Sequence, residues 1–197
     1  MPGDMSAIIL AGGKSSRMRT NKALLRLGSK SIIEIIVDKL ADIFEEIIIT
    51  TKSKALYSFL KVKIVEDISI DHNSLLGIYT GLLNSSNFYN FVIACDMPFL
   101  NPALIRYMIE QRIGYEVIIP KVDEHLEPLH AIYSKECLKP IEELLSNGDL
   151  KIINFFPQVR ARYINRDEIR SFDPEFKSFF NLNTNEEYEK AKLLSWE

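Results

Sequence analysis

The sequence predicts an α/β fold: a three-layer arrangement in which a mainly parallel sheet has helices on both faces. Two observations carry this prediction. Short apolar runs alternate along the chain with longer stretches of helical periodicity, which is the order of successive β-α-β units. Most of the short runs are apolar at consecutive rather than at alternate positions, as in strands that are covered on both sides.

The first half of the chain has four such runs, at residues 7–10, 47–49, 62–65 and 91–94. Between them, residues 32–40 carry isoleucine, valine and leucine at the spacing of a helix packed on a sheet, and residues 74–83 have a similar pattern. We therefore expect parallel strands whose carboxyl ends meet at one edge, where ligands bind in sheets of this kind.

The second half continues this alternation and then changes in character. Pro102 suits the first turn of a helix over residues 104–113, and a fifth strand is expected over residues 117–119. The later part is of α+β type. Its expected elements are a strand over residues 129–133, a helix around residues 141–145 and a closing helix over residues 185–194.

Length and composition restrict the class of protein. A chain of 197 residues suits one domain, and a formal net charge of -3 argues against a nucleic-acid-binding groove. Cys95 and Cys137 lack the spacing of a zinc site or a disulfide framework. No apolar run reaches membrane-spanning length, and the first residues lack a signal-peptide pattern. We therefore expect a cytoplasmic protein that binds neither nucleic acid nor a membrane.

The loop after the first strand has the composition of an anion-binding loop. Gly12 and Gly13 let backbone N–H groups approach a ligand closely. Lys14, Arg17 and Lys22 add positive charge within a short stretch, and such groups favour phosphate. The loop is neither a Walker A loop nor a GxGxxG loop. A tight turn with solvated basic residues is the structural alternative.

Two further loops at the same edge carry carboxylates. Asp67 follows the third predicted strand, and Asp96 follows the fourth. An unpartnered charge at the end of an apolar strand is costly, and Mg²⁺ is a suitable partner because it binds one or two carboxylates and leaves its other positions to water and phosphate. We therefore expect Asp96 to be a Mg²⁺ ligand. The alternatives are a helix cap for Asp96 and a solvated position for Asp67.

Five segments together resemble one family. Two neighbouring segments, LAGGKSSRM and NKALLRLGSKSIIE, resemble the signature loop of the nucleotidylyltransferases and the lysine and apolar run that follow it. Motifs of the molybdenum cofactor guanylyltransferase branch of the MobA-like nucleotidylyltransferases are similar to CDMPFL, EPLHAIY and FNLNT. This resemblance covers nearly the whole chain and implies a Rossmann-like nucleotidyltransferase fold in a single domain over residues 1–197. The part up to about residue 100 would bind the nucleotide, and the part from about residue 101 would bind the acceptor and complete the sheet.

The resemblance also implies a reaction and a set of residues. GMP would pass from GTP to the terminal phosphate of molybdopterin with Mg²⁺ as cofactor, and pyrophosphate would leave. Arg17, Lys22 and Asp96 would be catalytic, with Asp96 holding the metal. The residues implied to contact the nucleotide are Leu10, Ala11, Gly12, Gly13, Lys22, Asp67, Gly77 and Asp96. Those implied to contact the acceptor are Asn181, Asn183 and Lys151. Molybdoenzyme maturation proteins are implied as further partners.

The sequence departs from the family pattern at two places. Arg19 follows the loop methionine, where the family usually has a glycine. Asn73 and Ser74 replace the Gly-Pro that the family has at the start of the helix near the base. The base preference is therefore open. The alternative enzyme is a cytidylyltransferase or another small-molecule nucleotidylyltransferase. The alternative from another class is a nucleotide-binding protein that delivers the cofactor without turnover.

Structural roles remain open for three of the residues in the second half. Asn183 could cap the terminal helix rather than face a ligand. Lys151 could be an exposed surface lysine. His130 is interpreted as a packed, hydrogen-bonded residue of the core rather than a ligand contact.

Overall fold

Strands and helices alternate through the residues that the computed structural model describes, which are 4–12, 21–67 and 73–194. The strands are β1 (Met5–Leu10), β2 (Arg26–Leu27), β3 (Lys30–Ser31), β4 (Glu46–Thr51), β5 (Lys63–Glu66), β6 (Tyr89–Ala94), β7 (Val117–Val122), β8 (His125–Leu126), β9 (His130–Ser134) and β10 (Ala161–Ile164). The α-helices are α1 (Ile32–Ala41), α2 (Ser74–Asn84), α3 (Pro102–Glu110), α4 (Leu138–Ser146), α5 (Arg166–Arg170) and α6 (Asn185–Leu194).

The central sheet has the strand order β10-β7-β9-β6-β1-β4-β5, and β8 pairs with the end of β7. Strands β6, β1, β4 and β5 run parallel to one another, as do β7 and β10. The mainly parallel sheet expected from the sequence is thus confirmed. Strand β9 is antiparallel to both β6 and β7, because the connection from β7 is too short for the crossover that a parallel neighbour requires.

Helices cover both faces of the sheet and bury two apolar cores. One core joins α1, α3, α5 and α6 to one face and includes Ile9 and Ile49. The other joins α2 and α4 to the opposite face and includes Ile8 and Ile48. Adjacent strand residues therefore point into different cores, which explains why these strands are apolar at every position. No helix within the described part of the chain has both the length and the apolar character that crossing a bilayer needs.

Several short elements were not expected from the sequence: the β2–β3 hairpin, β8, β10 and α5. The strands β2, β3 and β8 have two residues each, which is too few to show a periodicity. Strand β10 is an outermost strand of the sheet with a single neighbour, β7, and Ile164 is its one fully buried residue. A strand of this kind has no apolar run to mark it.

The carboxyl ends of β1, β4, β5 and β6 meet at one edge of the sheet, and backbone hydrogen bonds join the loops there. The N–H of Ala11 donates to the carbonyl oxygen of Thr50 at 2.8 Å. The N–H of Asp67 donates to the carbonyl oxygen of Thr51 at 2.7 Å. Because these bonds continue the strand ladders, the first residues of the loops have defined positions relative to each other.

Gly81 permits close packing of α2 on the sheet. A Cβ atom at this buried position would lie 2.5 Å from Cγ2 and 2.9 Å from Cδ1 of Ile8. We expect Gly81→Ala to lower the free energy of unfolding by about 1–2 kcal/mol, because overpacking outweighs the gain of about 1 kcal/mol in helix propensity. Urea denaturation measures this change. Thr80→Ala is the matched control, and a Gly81→Ala protein as stable as that control would contradict the prediction.

Candidate active site

A cavity of about 160 Å³ lies at this edge of the sheet, between the strand ends and the start of α2. Five of the residues that the sequence assigned to the nucleotide line it: Leu10, Gly12, Asp67, Gly77 and Asp96. They come from four separate segments of the chain. The parallel arrangement of β1, β4, β5 and β6 brings these segments together, as the sequence predicted.

Other residues of that prediction fall elsewhere. Ala11 is not among the lining residues, and its carbonyl oxygen accepts hydrogen bonds from the hydroxyls of Thr51 at 3.3 Å and Tyr57 at 3.5 Å. Gly13 and Arg17 lie outside the described residues. Lys22 is not among the lining residues either but contacts Asp96. The roles assigned to all these residues, in nucleotide binding or, for Arg17, in catalysis, stay predictions.

Lys22 brings three distant parts of the chain together. Its ammonium nitrogen lies 2.7 Å from Oδ1 of Asn183 and 3.3 Å from Oδ2 of Asp96. Asn21 caps the short 3₁₀ turn that begins at Lys22. The side chains of Lys22 and Asp96 are 15% and 19% exposed, so solvent screens this ion pair less than a pair on the open surface.

The side chain of Asp96 is not a helix cap. The cap of α3 is Asn101, whose side-chain oxygen accepts hydrogen bonds from the first N–H groups of that helix. The backbone carbonyl oxygen of Asp96 accepts a hydrogen bond from the N–H of Leu182 at 3.0 Å. The carboxylate itself faces the cavity and Lys22.

A half-buried lysine holds the loop that follows Asp96. Lys39 of α1 donates to the carbonyl oxygens of Pro98 and Leu100, each at 3.2 Å. Burial lowers the pKa of Lys39. These contacts fasten the loop to α1 and so help to define where the strand end at Asp96 lies.

The segment before α6 reaches the cavity from the far end of the chain. Thr184 caps α6, because its hydroxyl accepts the N–H of Glu187 at 3.2 Å while the Glu187 carboxylate accepts the N–H groups of Asn183 and Thr184, each at 2.7 Å. The alternative that Asn183 itself caps the helix is therefore wrong. Asn181 donates from its amide nitrogen to the carbonyl oxygen of Phe179 at 3.1 Å, within its own turn.

Asp67 and Gly77 form the opposite wall of the cavity. Asp67 is 8% exposed, so it is not a solvated loop acid. A Cβ atom at Gly77 would lie 3.3 Å from Cδ2 of Leu10 and 3.5 Å from Oγ1 of Thr50, which shows that the glycine permits a close approach of α2 to the strand ends. Asn73 caps α2, because its side-chain oxygen accepts a hydrogen bond from the N–H of Leu75.

The cavity also contains residues that the sequence did not assign to it: Thr50, Lys52, Asn73, Ser74, Cys95 and Leu129. Thr50 lies in β4, and Lys52 is the first residue after this strand; both line the cavity. The signal that could have identified Lys52 is a lysine directly after a buried strand at the ligand-binding edge.

Two residues near the site are neutral for reasons of burial. Burial, followed by the charge of Asp96, raises the pKa of the Cys95 thiol to about 12. His130 is fully buried with the rings of Phe91 and Phe179 at 5.0 and 5.1 Å, and burial lowers its pKa to about 3. The packed position predicted for His130 is confirmed, but neither ring nitrogen has a hydrogen-bond partner among the described residues.

Lys151 lines a second depression, of about 440 Å³, beyond the start of α2. This depression shares Asn73 and Ser74 with the cavity. The residues assigned to the acceptor are therefore not all gathered at one point, since Asn183 contacts Lys22 whereas Lys151 lies in the neighbouring depression.

Each end of the cavity has a carboxylate and a lysine nearby. Toward β1 and β6, carboxylate and amide oxygens surround a lysine ammonium. Toward β4 and β5, it offers the buried carboxylate of Asp67 and the ammonium of Lys52. Oxygen ligands suit Mg²⁺ and ammonium groups suit phosphate, so the arrangement suits an anionic ligand such as a nucleotide.

The chain is similar to known proteins over nearly its whole length. It matches the model of the MobA-like NTP transferase domain over residues 7–160. A protein named "Probable molybdenum cofactor guanylyltransferase" from Pelotomaculum thermopropionicum is 38% identical over 190 residues, which cover 96% of this chain and 93% of that protein. A protein named "Molybdenum cofactor guanylyltransferase" from Desulfosudis oleivorans is 35% identical over 192 residues, which cover 95% and 94%.

A solved structure has the same fold. The crystal structure of "Molybdopterin-guanine dinucleotide biosynthesis protein A" from Archaeoglobus fulgidus superposes with a TM-score of 0.85 at 26% sequence identity. The match covers 96% of this chain and 98% of that chain. The Rossmann-like nucleotidyltransferase fold expected from the sequence is thereby confirmed.

Proposed function

Because this chain belongs to the MobA-like NTP transferase family, we propose that it transfers GMP from GTP to the terminal phosphate of molybdopterin and releases pyrophosphate. Relatives that carry the name molybdenum cofactor guanylyltransferase and match nearly the full chain support this proposal. The structural observation that carries it is the meeting of Lys22, Asp96 and Asn183 at the edge of the cavity.

The proposed chemistry is an in-line displacement at the α-phosphorus of GTP. An oxygen of the acceptor phosphate forms the new P–O bond, while the bond from the α-phosphorus to the bridging oxygen breaks and pyrophosphate leaves. The acceptor phosphate is already anionic near neutral pH, so the step requires no general base. Catalysis then depends on positioning the two anions and neutralising the charge that develops.

Mg²⁺ is the proposed cofactor, and the oxygen donors at the site fit it. Asp96 and Asn183 direct a carboxylate oxygen and an amide oxygen at one cation, the ammonium of Lys22. We propose that Asp96 would hold the ion, because carboxylate oxygens suit Mg²⁺. When bound, the ion supplies neutralisation of the phosphate charge.

We assign the triphosphate to the β1–β6 side of the cavity and the base to the β4–β5 side. The backbone N–H groups of the glycine loop and the side chains of Arg17 and Lys22 would bind the phosphates and stabilise the transition state. The remaining residues predicted to contact the nucleotide are Leu10, Ala11, Gly12, Gly13, Asp67 and Gly77, with Asp67 beside the nucleoside. The lining of the cavity by Leu10, Gly12, Asp67 and Gly77 supports this assignment.

The acceptor is assigned to the later part of the chain, from about residue 101, within a single domain. Asn181, Asn183 and Lys151 are its proposed contacts, and the continuity of the Lys151 depression with the cavity supports this choice. The proposal includes molybdoenzyme maturation proteins as partners. It also includes a cytoplasmic location, which the free thiols of Cys95 and Cys137 support.

A nucleotide panel tests the function. Pyrophosphate release is measured with GTP, CTP, UTP and ATP, each with Mg²⁺ and with molybdopterin as acceptor. We expect release with GTP that depends on both the acceptor and the metal. Release with CTP instead would indicate a cytidylyltransferase, and GTP binding without any release would indicate a protein that delivers the cofactor without turnover.

Lys52 is expected to contribute to base selectivity. Guanine presents N–H donors and a carbonyl acceptor along one edge, and the carboxylate of Asp67 with the ammonium of Lys52 offers the complementary pair. We expect Lys52→Met to lower kcat/KM for GTP about tenfold, with a smaller effect on ATP and CTP, because a donor to the guanine carbonyl is lost. Steady-state kinetics with the three nucleotides measure this change.

The matched control for this substitution is Lys54→Met, which removes the same charge from an exposed position of the same loop. Its kcat/KM for GTP should stay within about twofold of the unmodified protein, as for a surface substitution. Equal losses with all nucleotides in Lys52→Met would show that Lys52 acts on the phosphates and would contradict a role in base selectivity.

A further inference from the structure

Tyr57 has a buried hydroxyl group at the base of the glycine loop. The residue ends the short 3₁₀ helix that follows β4, and its side chain is fully buried. Its hydroxyl oxygen lies 3.0 Å from Nδ2 of Asn21, which donates to it, and 3.5 Å from the carbonyl oxygen of Ala11. Oδ1 of Asn21 lies 3.4 Å from the same oxygen. The hydroxyl therefore accepts a hydrogen bond from Asn21 and has one proton to donate, for which the carbonyl oxygen of Ala11 and Oδ1 of Asn21 are the two acceptors.

These partners stand at the two ends of the glycine loop. Ala11 leads into it from β1, and Asn21 leads out of it to Lys22. Asn21 also caps the turn that carries Lys22, because its Oδ1 accepts a hydrogen bond from the N–H of Ala23 at 3.1 Å. The hydroxyl of Tyr57 thus joins the entry of the loop to the residue that sets the position of Lys22.

The hydroxyl has no role in the packing of the core. A phenylalanine would fill the same apolar space, and a buried hydroxyl is unfavourable unless it is hydrogen-bonded. Burial raises the pKa of Tyr57 to about 12, so the group stays protonated and can donate at neutral pH. Its contacts with Ala11 and Asn21 are therefore the reason for a tyrosine at this position.

We propose that Tyr57 is a positioning residue for the transfer reaction. Its hydroxyl joins the two ends of the glycine loop by hydrogen bonds to Ala11 and Asn21 and so holds Lys22 toward Asp96. The proposal rests on the proposed function, in which Lys22 stabilises the transition state. It assigns to Tyr57 no contact with the substrates. Its effect on the reaction must therefore pass through Asn21 and Lys22.

A double-mutant cycle tests this proposal. Tyr57→Phe is made in the unmodified protein and in Lys22→Met, and pyrophosphate release is measured in single turnovers. Loss of a hydrogen bond that positions a catalytic group should lower the rate about tenfold where Lys22 is present. In Lys22→Met the same change should have an effect of less than about twofold, because residues that act as one unit are not additive.

Two further variants complete the experiment. Tyr107→Phe is the matched control. The hydroxyl of Tyr107 donates to the carboxylate of Glu168 at 2.5 Å, and neither residue lines the cavity. This substitution should leave the rate of pyrophosphate release unchanged. Asn21→Ser keeps a residue that can cap the turn but loses the amide that donates to Tyr57. It should reproduce the loss seen in Tyr57→Phe and so replaces that variant if the latter does not fold.

The affinity of the same four proteins for GTP is measured by calorimetry, which needs no acceptor. Coupling between Tyr57 and Lys22 in either measurement supports the proposal, and additive effects in both overturn it. If the unmodified protein releases no pyrophosphate but the coupling appears in the affinity for GTP, the proposed function is wrong, whereas the positioning of Lys22 by Tyr57 is supported. If pyrophosphate is released and the effects are additive in both measurements, the proposed function stands and the positioning role of Tyr57 is wrong.

Discussion

Replacing Asp96 by alanine is expected to reduce GMP transfer about a thousandfold or more without loss of the fold. The carboxylate is the proposed metal ligand and lies 3.3 Å from the ammonium of Lys22. Its removal takes away the charge that pairs with Lys22 and that would hold the proposed metal ion, and a group of this kind contributes two to three orders of magnitude, about 3–4 kcal/mol, or more where a metal would be lost with it. Single-turnover pyrophosphate release measures the effect.

The fold should survive this substitution for a specific reason. The contact of Asp96 that joins two segments of backbone is made by its carbonyl oxygen, which accepts from the N–H of Leu182, and alanine retains that group. Far-UV circular dichroism and the Tm should therefore change little. The affinity for Mn²⁺ in the presence of GTP, followed by water-proton relaxation, should fall together with the activity.

The chain offers a matched control for this prediction. Asp38 forms an ion pair with Lys30 at 2.5 Å, but both side chains are more than half exposed. Asp38→Ala therefore removes an acid with a lysine partner outside the cavity and should leave the transfer rate within about twofold, as expected for a surface position. Near-normal activity of Asp96→Ala with Mg²⁺ would remove Asp96 from the role of metal ligand.

Lys22→Met is expected to lower kcat about a hundredfold to a thousandfold, with a smaller change in KM for GTP. The methionine keeps most of the length of the side chain but lacks the ammonium group, which contacts Asn183 at 2.7 Å and Asp96 at 3.3 Å. An electrostatic contact made with the developing charge contributes about 3–4 kcal/mol when it acts in the transition state. Measurement of kcat and KM separately shows in which state the contact is made.

Lys30→Met serves as the control for charge loss, because Lys30 is the exposed partner of Asp38. Its kcat and its KM for GTP should equal those of the unmodified protein. A rise in KM alone for Lys22→Met, with kcat unchanged, would mean that the ammonium binds the ground state and the transition state equally. Lys22 would then be a nucleotide-binding residue rather than a catalytic one.

Much of the fold and part of the site followed from local sequence patterns. Apolar runs in β1, β4 and β6 marked strands covered on both faces, and the longer helices matched the 3.6-residue period closely. The positions of Gly12, Asp67 and Asp96 directly after such strands placed them at one edge of a parallel sheet. This prediction needed no knowledge of packing, since the carboxyl ends of parallel strands always meet at the same edge.

The contacts that complete the site were decided by the tertiary structure. Lys22 and Asn183 meet across 161 positions of sequence, and Tyr57 reaches both ends of the glycine loop from a turn after β4. The sequence of one segment carries no signal for such contacts, because they depend on how helices and turns pack against the sheet. Lys52 faces the cavity for the same reason: the last residues of β4 are held by backbone bonds to neighbouring loops.

By itself, the sequence determined the α/β class of this protein and the edge of the sheet at which its carboxylates lie, because these depend on local periodicity and on the order of strands. Its family was indicated by the resemblance of five segments to known motifs. Only the tertiary structure decided which side chains meet at that edge. The physical reason is that a hydrogen bond or an ion pair requires its atoms to lie within about 3–4 Å, and packing between distant segments sets distances on that scale.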